Sequence, residues 1–81
     1  MDIREKAELL RQHEIFCYQI SFYLVQDEQL SIKAASAALL ELACDPYFLK
    51  GNAELQKGKA KQAAIRSALR VKAKASIEAV C

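Results

Sequence analysis

Apolar residues return along the first part of the chain at steps of three, four and seven: Ile3, Ala7, Leu10, Cys17, Ile20 and Leu24, with Leu9, Phe16 and Tyr23 beside them. That is one broad face at helical period, and it predicts an amphipathic helix over residues 3–25. Glu5, Glu8, Arg11 and Glu14 occupy the opposite side. A polar run, Gln26-Asp27-Glu28-Gln29, then interrupts the pattern.

The second segment places Ile32, Ala35, Leu39 and Leu42 at steps of three, four and three, the spacing of an a/d seam, with Ser31 as the expected N-cap. Ala34, Ala37 and Ala38 favour helix and let a neighbour approach closely. This helix is expected over 31–44, because Asp45 precedes Pro46 and a residue before proline is pushed out of the helical region. Asp45 and Pro46 suit the cap and first position of a short turn over 46–50, whose Tyr47, Phe48 and Leu49 are expected to plug one end of the core. Gly51 and Asn52 then punctuate a last helix over 53–79. There the pattern weakens: Leu55, Ile65, Leu69, Ala73 and Val80 share one side, and Ala60, Ala64, Ala68, Val71 and Ala75 make a thinner stripe. No strand alternation or hairpin signal occurs. The expected fold is all-α, a small three-helix bundle with a short extra helical turn before the last helix, and 81 residues admit one domain spanning 1–81.

With 53% hydrophobic and 27% charged residues, the composition is that of a globular chain and not a disordered one. The opening Met1-Asp2-Ile3-Arg4-Glu5-Lys6 lacks the basic-then-apolar order of a secretory signal, and the apolar stretch from Ile15 to Val25 falls well short of the roughly 20 residues a spanning helix needs. These features predict a cytoplasmic protein that does not engage membranes. Cys17, Cys44 and Cys81 match neither zinc-knuckle nor CxxC spacing, which suggests reduced thiols. Cys17 and Cys44 lie in apolar stretches and read as small buried hydrophobes.

Charge changes the picture more than composition does. Residues 1–49 hold four basic and eight acidic side chains, a net of −4, whereas residues 50–75 hold eight basic side chains against Glu54 alone, a net of +7. On a helix, Lys59, Arg66, Arg70 and Lys74 fall within an arc of about 80°, and Lys57, Lys61 and Lys72 within another of about 60°. Cations at i, i+4 repel one another mildly, so folding does not account for two rows of one sign. A polyanion does, since neutralising several phosphates gives salt-dependent, sequence-independent affinity. A solvated Ala/Lys helix is a second account. Neutralisation by Glu5, Glu8, Asp27, Glu28 and Glu41, within the fold or in a dimer, is a third.

Catalytic chemistry has little to stand on. His13 is the only histidine and faces the same way as Cys17 four residues on, but two ligands without a third are a weak zinc signal, and a core histidine is the simpler reading. No Gly-rich phosphate loop is present. The expectation is a protein that is not an enzyme, without cofactor, metal or small-molecule substrate.

From Tyr18 to Phe48 the run Tyr-x4-Tyr-Leu-x2-Asp, then Ala34-Ala35, then Leu39-Leu40-x-Leu42 and Phe48, resembles the helical hairpin of RNA polymerase sigma factor region 2. In that family a helix with an aromatic face and an Asp-containing turn precedes a polymerase-docking helix, and a basic helix follows to contact promoter DNA. The chain departs from the family at Lys33-Ala34-Ala35-Ser36-Ala37, which lacks acidic and Gln docking groups, and in a last helix without aromatics. No polymerase-contact residue is therefore carried over. The resemblance implies a truncated or sigma-like accessory protein.

The functional expectation is a non-catalytic helical binding module, a small transcription-related regulator in which Lys57, Lys59, Lys61, Arg66, Arg70, Lys72 and Lys74 contact nucleic acid, DNA or RNA. The alternative is a protein–protein adaptor or small homo-oligomer that buries its Ala-rich faces, Tyr47 and Phe48 against a partner or a second copy.

Overall fold

The computed structural model describes residues 2–80, with side chains described through residue 74. Its regular elements are four α-helices: α1 (Ile3–Val25), α2 (Glu28–Ala43), α3 (Pro46–Lys50) and α4 (Ala53–Val80). The fold is an all-α bundle in which α1, α2 and α4 pack pairwise, and α3 closes one end against α2 and α4. Among the described residues, no helix is long and apolar enough to cross a membrane.

Local chemistry explains each boundary. At the end of α1, Gln26 turns into the left-handed region, φ 57°, and donates its backbone N–H to the Phe22 carbonyl. Asp27 then caps α2, accepting from the Leu30 N–H at 2.9 Å. The helix thus starts at Glu28, ahead of the expected cap Ser31, because an aspartate earlier in the chain already satisfies the first free N–H groups. Ser31 instead sits inside the first turn, buried, its hydroxyl donating to the Asp27 carbonyl. Asp45 caps α3 by accepting from Tyr47 and Phe48, and Pro46 occupies the first turn, where its missing N–H costs nothing. Asn52 caps α4 through the Leu55 N–H at 2.8 Å. From the first turn of α4, the Gln56 side-chain amide donates to the Phe48 and Gly51 carbonyls, 3.2 and 3.0 Å away, and so ties off the C-terminus of α3.

The core is built mainly from small side chains. Cys17, Ala34, Ala35, Ala38, Leu42, Phe48, Ala60, Ala63, Ala64 and Ala68 are buried, together with Ser21, Ser31 and Ser67. Phe48 is the largest fully buried side chain, and its ring meets His13 edge-on at 5.3 Å between centroids.

This burial corrects the expected seams in two helices. In α2 the inward face has turned toward Ser31, Ala34, Ala35, Ala38 and Leu42, leaving Ile32 52% exposed. In α4 the thinner alanine stripe faces the core, while Leu55 and Leu69 of the expected face are 45% and 52% exposed. The reason is geometric. α4 packs against both α1 and α2 and needs a wide buried arc, which Ala60, Ala63, Ala64, Ser67 and Ala68 supply with small side chains. Turning the Leu55, Ile65 and Leu69 side inward would bury Gln62, which shares that side, without a partner. Ile3 and Tyr23, expected at the apolar face of α1, also lie outside, 82% and 80% exposed.

Candidate nucleic-acid interface

With its alanine stripe inward, α4 carries the two cationic rows along its two seams with the rest of the bundle. Lys59, Arg66 and Arg70 run along the α2 side, and Lys57, Lys61 and Lys72 along the α1 side. Lys74 continues the first row in sequence and is exposed.

The α2 side is partly neutralised. Arg66 Nη2 lies 2.6 Å from Glu41 Oε1, and Lys59 Nζ lies 3.0 Å from Asp45 Oδ2. Both pairs reach solvent, so each contributes little to stability. The Lys59 hydrogen bond, aided by the backbone N–H groups of Phe48 and Tyr47, holds the Asp45 carboxyl below its ordinary range. Lys59 Nζ also lies 5.6 Å from the centre of the Tyr47 ring. Intramolecular neutralisation thus operates for two of the seven cations, through Glu41 and through Asp45, which sequence reading passed over because its only visible role was to cap α3.

The α1 side has different neighbours. Lys57 Nζ lies 5.7 Å from the centre of the Phe16 ring, and Lys72 Nζ donates to the Leu24 carbonyl at 3.4 Å. Among the described residues, Lys57, Lys61 and Lys72 form no ion pair. Beside this row a cleft of about 420 Å³ opens, lined by Phe16, Ile20, Glu54, Lys57, Gly58 and Lys61.

At the expected partner corner, Tyr47 is 73% exposed, but Phe48 is fully buried and cannot meet a partner without unfolding α3. That part of the expected surface is corrected: of the two aromatics of α3, Phe48 enters the bundle, whereas Tyr47, expected to plug the core beside it, stands outside. A second, mainly apolar groove of about 490 Å³ lies between α1 and α2, where Leu10, Leu39, Leu40 and Ala43 line it.

Cys17 is buried, its thiol 3.9 Å from the Ala60 carbonyl, and burial pushes its pKa up to about 11. Cys44, expected inside, is exposed at the C-cap of α2. Cys81 lies outside the described residues. His13 is half-buried against Phe48, and burial lowers its pKa. Among the described residues, no three His, Cys, Asp or Glu side chains come together as metal ligands would.

No family model matches the chain, and no curated protein or solved structure resembles it closely enough to count as a match.

Proposed function

We propose that the protein is a non-catalytic helical module that binds nucleic acid through α4. One observation carries this reading: the strongly cationic segment folds as a helix that keeps both rows along solvent-facing seams, and only Lys59 and Arg66 are engaged by carboxylates among the described residues. Lys61, Arg70, Lys72 and Lys74 remain exposed. Charges placed this way add phosphate affinity without serving the core. On this reading, the resemblance of residues 18–48 to the sigma factor hairpin puts the module in transcription, as a small cytoplasmic regulator built as a three-helix bundle with an added turn.

The test is charge reversal at positions that hold no ion pair. A variant carrying Lys61→Glu, Arg70→Glu and Lys74→Glu should keep its helical circular dichroism and lose oligonucleotide binding. Unchanged affinity in a folded triple variant would sink the reading.

A second reading, a protein–protein adaptor or homo-oligomer, is favoured by the apolar groove between α1 and α2, at which Leu40 stands 70% exposed. Light scattering separates the two. An oligomer that persists at high salt supports the adaptor, and a monomer removes its self-associating form.

A further inference from the structure

The two rows of α4 differ in a way that bears on the form of nucleic acid they suit. On the α2 side, Lys59 and Arg66 are neutralised by carboxylates, and the Tyr47 ring lies beside the already paired Lys59. On the α1 side the cations meet an aromatic ring, a carbonyl and open space, with no ion pair among the described residues. The pairings of Phe16 with Lys57, Cys17 with Ala60 and Leu24 with Lys72 all ascend together, so α1 and α4 run parallel along this seam. The row of α1 that holds Phe16 therefore travels beside the row of cations. Tyr23 lies seven residues after Phe16, on that same row and about 10 Å farther along, and is 80% exposed. Gly58 leaves the cleft open: a Cβ there would meet nothing within 4 Å.

We propose that the α1/α4 seam binds single-stranded nucleic acid, with bases stacking on Phe16 and Tyr23 and the phosphates following Lys57, Lys61 and Lys72. This rests on the nucleic-acid reading above and names the strand and the site. Unpaired bases present free π-faces to aromatic rings, and a neighbouring file of cations tracks the backbone. A duplex keeps its bases stacked on one another, so it can use the cations but not the rings. The Lys57 ammonium now over Phe16 would exchange the ring for a phosphate, freeing that face for a base. Glu54, the one carboxylate lining the cleft, repels phosphate and directs the backbone toward Lys61 and Lys72.

The experiment is fluorescence anisotropy of a labelled oligothymidylate, and of a duplex of equal length and label, with the whole chain. The single strand should bind more tightly than the duplex. Tyr23→Ala and Phe16→Leu should each weaken single-strand binding about tenfold while leaving duplex binding unchanged. Tyr23 is exposed enough for its removal to spare the fold, and thermal melting checks Phe16→Leu. Equal binding of both forms, or ring variants without effect, overturns the seam proposal while the basic-helix reading stands. If neither form binds, both fail.

Discussion

At the residue scale, the interior contains two side chains whose polarity works against their surroundings. Ser21 is fully buried in α1, and its hydroxyl has no hydrogen-bond partner. An unpaired buried hydroxyl costs about 1–3 kcal/mol, and alanine fits within the space that serine fills. Ser21→Ala should therefore raise unfolding stability by about 1 kcal/mol, read from the midpoint of a urea titration. His13 is the second case. Burial against Phe48 lowers its pKa below the ordinary 6.5, so between that value and the lower native one the unfolded chain holds a proton that the native chain does not. Its contribution is full above 6.5 and is lost as pH falls through the native value. Asp45, whose pKa is also lowered, loses its contribution only in the more acidic carboxylate range. Urea midpoints should thus drop between about pH 7.5 and about pH 5.5, and His13→Phe should flatten that drop. A wild-type midpoint indifferent to pH over this range would contradict the burial of His13.

At the scale of elements, the glycines of α3 and α4 separate propensity from packing. Gly58 sits inside α4 with open space where a Cβ would go, so Gly58→Ala should stabilise by about 1 kcal/mol. Gly51 has an ordinary extended backbone, but a Cβ there would stand 2.9 Å from the Tyr47 carbonyl oxygen and 2.5 Å from Leu55 Cδ2. Gly51→Ala should destabilise, and thermal melting of the two variants should move in opposite directions. Sequence alone revealed what was local: the period of α1, the Asp-Pro start of α3 and the Asn52 cap are decided by neighbours in the chain. It misjudged which side of α2 and α4 turns inward. A hydropathy pattern ranks Leu above Ala, whereas three helices meeting closely select Ala60, Ala63, Ala64 and Ala68 and leave Leu55 and Leu69 outside. For the same reason Phe16 was legible as apolar, but its place beside Lys57 was not, because that contact joins residues from different helices.

For the whole molecule, the organising feature is the partition of charge between an acidic first half and a basic α4. Packing brings the halves together so that Glu41 and Asp45 neutralise one flank of α4 only. The other flank keeps its cations without a carboxylate partner among the described residues, with Lys57 beside the Phe16 ring. The arrangement has both an electrostatic and a stacking component, and only the first depends steeply on salt.

The most direct measurement is the salt dependence of oligothymidylate binding to the wild-type chain. Engagement of three to five phosphates predicts a slope of log affinity against log salt of about −2 to −3.5, hence a loss of about twentyfold to about a hundredfold between about 50 and about 200 mM. Affinity that does not change across the range, or absence of binding at the lower salt by the oligothymidylate and by the duplex alike, would contradict the assignment of α4 as a nucleic-acid interface.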